Sequence, residues 1–286
     1  MTSLATIPIS QINGIETLKV LAIGGTGGLG RSISQVLASK GAKVTAVGRT
    51  FRDEKTENID FIKADLSSIA SSQQFASSLN ASDFDIVLFT TGIFSSRARE
   101  ETAEAFEKDL AVSFLNRLAI LDIIGEKLSH KSVLGTPRVF VMGFPGNGQL
   151  GTPDDLNQEK KYSFLTAHMN TVAGNECLVL NSAQKYSNFR VFGMNPGLVK
   201  TNIRDNLLGT GIFSRILEAT VGWFTPTPEQ YAQKVVPAIL SPKLNELNGV
   251  HIDKKGHLLD GSKGLTQEYA NEYIAKCEEL LRSKGF

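Results

Sequence analysis

An α/β fold, a parallel sheet wound with helices on both faces, is predicted by three features of the sequence. Short apolar runs alternate with longer amphipathic ones through the first half of the chain, the pattern of successive strand–helix–strand units. The first apolar run passes into the first amphipathic one through a glycine-rich turn, Gly24-Gly25-Thr26-Gly27-Gly28-Leu29-Gly30. The alternation then continues into the second half with no Pro-, Gly- or Ser-rich linker, internal repeat or low-complexity tract. Residues 18–286 therefore read as a single domain behind an N-terminal extension, residues 1–17.

Taken in order, residues 18–23 form the first strand. Residues 30–40 form a helix, with Ile33, Val36 and Leu37 on one side and Gly41 as its C-terminal stop. Strands follow at 43–47, 59–63, 86–89 and 138–142, each separated by helical material. Five strands with such crossovers make a doubly wound, Rossmann-type sheet flanked by helices. The second half adds a helix at 166–185, a strand at 190–194, a helix at 228–239 and a strand at 250–252. A charged amphipathic helix at 268–284 closes the fold with a solvated face.

Composition narrows the partners. The 286 residues carry a formal net charge of +1, which gives no electrostatic reason to expect nucleic acid or an anionic membrane surface. Cys177 and Cys277 are far apart and both lie in stretches of helical periodicity, so neither a disulfide framework nor a metal site is expected. This usage suits a reducing, cytoplasmic location. Residues 1–17 lack the basic start and unbroken apolar core of a signal peptide, and Glu16 interrupts them. The most apolar stretch, 207–224, contains Arg215 and Glu218, so no membrane span is expected. The remaining expectation is a small-molecule ligand.

The glycine turn has the context that phosphate binding requires, a strand before it and a helix after it. Without side chains the backbone can turn sharply, approach a pyrophosphate and present helix N-terminal amides to its charge. The second strand ends in Gly48-Arg49-Thr50, without the carboxylate that would take the ribose 2′-hydroxyl of NAD. A guanidinium at Arg49 suits a 2′-phosphate, and Arg31 adds positive charge beside it, so NADP(H) is expected in preference to NAD(H).

Several further motifs occur in an order that resembles the short-chain dehydrogenase/reductase family over nearly the whole chain. The spacing of Gly24, Gly28 and Gly30 matches its TGxxxGxG, with Ile23 in place of the threonine. Asp65-Leu66 resembles its adenine-contacting Asp-Leu, and Thr90-Thr91-Gly92 stands where it has Asn-Ala-Gly. Pro196-Gly197-Leu198-Val199-Lys200-Thr201 is similar to its PGxVxT. The resemblance implies cofactor contacts from Gly24, Thr26, Gly27, Gly28, Leu29, Gly30, Asp65, Leu66, Thr91 and Gly92. It places Pro196, Gly197, Val199 and Thr201 along the nicotinamide. The wording of residues 143–148 and 168–171 resembles a divergent fungal branch of that family. Residues 202–224, with Leu207, Leu208, Ile212, Phe213 and Trp223, fall where the family has a substrate lid; core packing or a dimer contact would use the same apolar spacing. A homodimer through the helices after the fourth and fifth strands is also implied.

The family's chemistry rests on Asn, Ser, Tyr and Lys, with Tyr and Lys four residues apart on one helix face so that the cation lowers the phenol's pKa. None of the five tyrosines here, Tyr162, Tyr186, Tyr231, Tyr269 and Tyr273, has a lysine four residues on. Aligning Gly174-Asn175-Glu176 with the family's Ala-Asn-Glu places His168 at the tyrosine, Val172 at the lysine, Phe144 at the serine and Ser113 at the asparagine. An insertion within 144–168 keeps Tyr162 as the competing proton donor. Histidine, as a residue type with an ordinary pKa of about 6.5, can deliver a proton near neutrality. The expectation is an NAD(P)H-dependent reductase of small aldehydes or ketones with His168 as general acid, aided by Ser113 or Tyr162. A non-catalytic NADP(H)-binding sensor or scaffold, and a redox-neutral isomerase, are the alternatives on the same fold.

Overall fold

The structure is a computed structural model that describes residues 3–4, 8–129, 133–197 and 226–286. Seven parallel strands, β1 (Lys19–Ile23), β2 (Lys43–Gly48), β3 (Ile59–Lys63), β4 (Ile86–Phe89), β5 (Arg138–Met142), β6 (Arg190–Met194) and β7 (Val250–Ile252), lie within one residue of their expected positions. An eighth, β8 (Leu258–Leu259), pairs antiparallel with β7 and gives the order β3-β2-β1-β4-β5-β6-β7-β8. Periodicity missed β8 because two residues show no alternation; the signal available was the turn before it, where the N–H of Gly256 donates to the carbonyl of Asp253 at 3.0 Å.

The central strands β1, β4, β5 and β6 are buried on both faces, which is why they read as apolar runs, while the edge strand β3 exposes Asp60 and Lys63. On one face α1 (Gly28–Ser39) and α6 (Pro228–Ile239) cover Val20, Ala22, Val44, Ala46, Ile86, Leu88 and Phe140. On the other, α2 (Ile69–Ser78), α4 (Asn116–Ile124), α5 (Phe164–Lys185) and α7 (Gln267–Ser283) cover Leu21, Ile23, Val87, Phe89, Val139 and Val141. Alternate residues of each strand thus feed opposite layers. The strand order reverses between β1 and β4, and at such a point the crevice beyond the strands' C-terminal ends is open to a ligand.

Two helix boundaries differ from the sequence reading in ways that bear on the site. Helix α1 begins at Gly28 rather than at residue 30, because glycines carry no side chain to show the period. Helix α5 begins at Phe164, two residues before the apolar pattern, where the Ser163 hydroxyl accepts from the N–H of Thr166. The path from α3 (Lys108–Leu110) into α4 runs through a π turn, Ala111–Leu115. Such turns insert one extra residue into a helix and often occur at functional sites.

Part of the expected N-terminal extension packs on the domain: Leu4 is buried, its N–H donates to the carbonyl of Gly256 at 2.8 Å, and Ile15 joins the α1 layer. Cys177 and Cys277 are free and buried. Among the described residues no helix is long and apolar enough to cross a membrane, and no group of three or more His, Cys, Asp or Glu is placed to hold a metal ion. The stretch expected as a lid, residues 202–224, lies outside the described residues, as do Val199 and Thr201.

Candidate active site

The glycine turn divides into positions that packing requires and positions that are left open. Gly24 has φ +88°, and a Cβ there would stand 2.6 Å from the Thr91 nitrogen. A Cβ on Gly30 would stand 2.2 Å from Thr90 Oγ1 and 2.5 Å from the Gly24 carbonyl. Both glycines therefore let the turn press against the end of β4. At Gly27 and Gly28 a Cβ would meet nothing within 4 Å. Gly27 is also the N-cap of α1, and no side chain accepts from the first amides of that helix. Open space over unpaired N-terminal amides fits a pyrophosphate. Thr26 packs on Gly48, Leu29 is half-buried against the α1 layer, and Thr91 Oγ1 is a buried hydroxyl without a partner at the same crevice.

At the end of β2 the two arginines differ. Arg49 is exposed, and its charge helps hold the Asp65 carboxyl below the usual range, after the larger effect of the Ser67 hydroxyl. Asp65 Oδ1 accepts from Ser67 N at 3.0 Å and Ser67 Oγ at 2.7 Å, while Leu66 is buried beneath it. Arg31, expected to add free positive charge, instead forms a two-bonded pair with buried Asp53, Nε–Oδ2 2.8 Å and Nη2–Oδ1 2.7 Å. Gln35 donates a third bond to Asp53 at 2.9 Å. The Arg31 bond holds the Asp53 carboxyl below its ordinary range, and each charge largely cancels the other. Neither Arg31 nor Asp53 is then free for a ribose.

The proton-handling groups collect beside the end of β4. His168, in the second turn of α5, has its Nδ1 2.7 Å from Asp109 Oδ2. Asp109 is wholly buried and accepts two more bonds, from Ser95 Oγ at 2.8 Å and from Ser113 Oγ at 2.5 Å. Ser113, in the π turn, also accepts from the N–H of Ile93 at 3.0 Å, and a Cβ on Gly92 would stand 3.7 Å from its Oγ. The Phe94 ring lies 4.4 Å from the His168 ring, centroid to centroid. His168 and Ser113, named from sequence, are therefore in one network through Asp109, a residue the sequence reading missed.

Tyr162 is placed differently. Its hydroxyl donates to the Ser96 carbonyl at 2.5 Å, and its pKa is pushed up to about 12, first by burial and then by the carboxylates of Glu107, Asp109 and Glu100. A reductase tyrosine needs the opposite shift. Val172, at the family's lysine position, is buried. Phe144 is half-buried on a loop that Glu176 and Ser262 hold: Gly146 N donates to Glu176 Oε2 at 3.2 Å and Gly148 N to Ser262 Oγ at 2.9 Å. Pro196 and Gly197 leave β6 with Gly197 at φ +64°, its N–H bound by Asn195 Oδ1 at 2.9 Å.

Two more buried polar residues, missed in the sequence, complete the centre. Arg117 donates to the carbonyls of Met142 and Thr91, at the ends of β5 and β4, and to Asn175 Oδ1 at 2.7 Å. Asn175 Nδ2 donates in turn to the Ser113 carbonyl at 2.9 Å. Burial brings the Arg117 guanidinium down to about 9, partly offset by the charge of Asp109. Glu107, which caps α3 by accepting from Leu110 N at 2.7 Å, is pushed up to about 7 by burial. A signal was present: Asp109, Ser113 and Arg117 recur every four residues, with Asn116 as the one other polar residue, among the apolar Leu110, Ala111, Val112, Phe114, Leu115 and Leu118.

Comparison with known proteins agrees with the fold. The ketopantoate reductase family (PanE/ApbA) matches residues 21–149, the part that contains the glycine turn. An uncharacterized oxidoreductase of Saccharomyces cerevisiae, YKL107W, is 45% identical over 280 residues, covering 95% of this chain and 91% of the yeast protein. Among solved structures, an uncharacterized Mycobacterium paratuberculosis protein superposes with TM-score 0.73 at 18% identity, covering 98% of this chain and 97% of its own. A short-chain dehydrogenase/reductase from Serratia marcescens superposes with TM-score 0.60 at 18% identity over 85% of this chain and 98% of its own. Fold and comparisons together define an oxidoreductase on the Rossmann fold of the short-chain dehydrogenase/reductase type. The chain belongs to the same oxidoreductase family as the yeast protein.

Proposed function

We propose that this oxidoreductase reduces small aldehydes or ketones with a nicotinamide dinucleotide, and that His168 is the general acid. The observation that carries the reading is the 2.7 Å contact between His168 Nδ1 and the buried Asp109 carboxylate. A carboxylate can only accept, so the shared proton sits on Nδ1 and Nε2 is the ring atom left to exchange a proton with substrate oxygen. Phe94 against the ring and Asp109 at its edge hold the imidazole plane. Gly27, Gly28 and the first amides of α1 would hold the pyrophosphate, with Thr91 and Gly92 beside it. When bound, the nicotinamide supplies the hydride. Arg49 is the exposed cation at the end of β2 that would meet a 2′-phosphate, which favours NADP(H) over NAD(H).

Half-buried Phe144 in place of a serine offers no hydrogen bond to a developing alkoxide, which favours reactive aldehydes over hindered ketones. Titration with NADPH and NADH, followed by the loss of reduced-nicotinamide absorbance against a panel of short aldehydes and ketones, tests the reading. Substrate-dependent oxidation that His168→Ala abolishes is the expected result. Tight dinucleotide binding with no turnover of any carbonyl would overturn it in favour of a sensor or scaffold, and product formation without net NADPH consumption would point to an isomerase.

A further inference from the structure

We infer that Arg117 is the fixed counter-charge of Asp109, and that by balancing this buried carboxylate it leaves His168 able to release its proton. The inference rests on the reading of His168 as proton donor and adds to it the residue that sets the histidine's freedom to titrate.

Asp109 is completely enclosed and its three bonded partners are Ser95, Ser113 and His168. The two serines carry no charge. A buried carboxylate with no other cation nearby would keep the imidazole protonated as its ion-pair partner, because losing that proton would leave an uncompensated charge in a medium of low dielectric. Such a histidine is a poor acid. A permanent cation placed nearby balances the carboxylate whether or not the imidazole carries a second proton.

Arg117 has the properties of that cation. It is 2% exposed, yet its guanidinium bonds only to neutral oxygens: the Met142 and Thr91 carbonyls and Asn175 Oδ1. Among the described residues no carboxylate lies within ion-pairing distance of it, and its Nε has no partner. A buried cation without a contacting anion is costly unless an opposite charge acts on it through the structure, and the buried carboxylate that shares its hydrogen-bonded network, by way of Asn175 and Ser113, is Asp109. Asp109, Ser113 and Arg117 follow one another at four-residue spacing through the π turn. The path is closed by Ser113 Oγ on Asp109 and by Asn175, which bonds both the guanidinium and the Ser113 carbonyl.

The other charged groups around this centre are answered elsewhere or neutral. Glu107 is held up to about 7 and carries a proton below that pH. Glu100 pairs with Lys108 at 2.7 Å and Arg99 with Glu101. Tyr162 keeps its phenolic proton. Arg117 thus performs from inside the fold the electrostatic task that a helix-face lysine performs for a tyrosine, at a site where Val172 occupies the lysine position.

Histidine-selective NMR titration of the full chain, free and with NADPH, tests this by reading His168 directly in the wild type, Arg117→Met and Arg117→Lys. Arg117→Met should move the His168 midpoint up by about one pH unit or more, a tenfold or greater gain in proton affinity, and Arg117→Lys should restore the wild-type midpoint. A midpoint unmoved in a folded Arg117→Met protein overturns the inference. If Arg117→Met does not fold, adding Asp109→Asn decides: recovery of a cooperative melt in the double variant supports charge balance, and no recovery means that Arg117 only ties the strand ends and overturns it. Because the titration needs no turnover, a shifted midpoint in a protein without reductase activity would sink the proposed reaction and keep this inference.

Discussion

His168 Nδ1 and Asp109 Oδ2 meet at 2.7 Å across 59 residues of sequence, one at the exposed start of a long helix and the other wholly buried. The pair defines which ring nitrogen faces outward. Replacing His168 by Ala should lower kcat for a good aldehyde by about 100-fold or more, the usual scale of a general acid. Tyr162→Phe should change it by less than about threefold, because that hydroxyl is bound to the Ser96 carbonyl. Steady-state kinetics on the two variants checks both, and the reverse ranking would move the proton to Tyr162.

Asp109→Asn removes the carboxylate but keeps its shape. The imidazole then loses the partner that fixes its tautomer, and Arg117 loses its balancing charge. We expect kcat to fall by about 10- to 100-fold. The unfolding free energy should fall by about 2 kcal/mol, less than the ~3–5 kcal/mol for breaking a contacting buried pair. Denaturant melts alongside kinetics measure both effects, and an unchanged melt would show that Asp109 carries no buried charge.

The glycine turn predicts two separable phenotypes. Gly30→Ala drives a Cβ to 2.2 Å from Thr90 Oγ1 and should cost about 1–3 kcal/mol of stability. Gly27→Ala meets nothing within 4 Å, at a backbone conformation alanine adopts freely, so its melting temperature should match the wild type. Its methyl would stand in the space open to the pyrophosphate, and dinucleotide binding should weaken by about tenfold or more. Calorimetric melts and fluorescence titration with NADPH separate the two, and a Gly27→Ala protein that binds normally would move the phosphate elsewhere.

Exposed Arg49 is the test of cofactor choice. Arg49→Ala should weaken NADPH binding by about tenfold, the scale of one charge-assisted bond, and leave NADH within about twofold. Equal effects on both dinucleotides would remove the 2′-phosphate from Arg49. Arg31→Ala, by contrast, should act mainly on stability, since its partner is Asp53.

Glu107 makes stability depend on pH. Burial raises its folded-state pKa from 4.5 to about 7, so between these values the native state binds a proton that the unfolded chain has lost. The contribution is fully present below about pH 4.5 and is lost as pH rises through about 7, so Glu107 makes stability fall with rising pH across that window. Its Oε1 has no partner, which suits a protonated carboxyl. Glu107→Gln keeps the cap on Leu110 and should flatten this slope in urea melts taken from pH 4.5 to 8. An unchanged slope would place the titration on another group.

The legible part of the molecule was the part written in local pattern. Leu21 and Ile23 alternate with Val20 and Ala22 between two helical layers, and that two-sided burial makes each central strand an apolar run visible without coordinates. The glycines were legible for a similar reason, since close backbone approach leaves only glycine at Gly24 and Gly30. His168 is singled out in the sequence by its spacing to Gly174 and Asn175, and Ser113 by its place after β4. Asp109 and Arg117 show in the sequence only as polar residues that, with Ser113 and Asn116, interrupt an apolar helical run, and their partners come from distant segments.

By itself the sequence determined the sheet, the glycine turn and the absence of the family's Tyr–Lys pair, because these follow from periodicity, backbone sterics and residue identity. Tertiary structure decided which charges are free. It bound Arg31 to Asp53, turned the Tyr162 hydroxyl onto the Ser96 carbonyl, set Asp109 against His168, and tied Arg117 into the same network through Asn175 and Ser113. The physical reason is that a charge acts through its distance to other charges and through its burial, and both are set only when helices far apart in the chain close over the same end of the sheet.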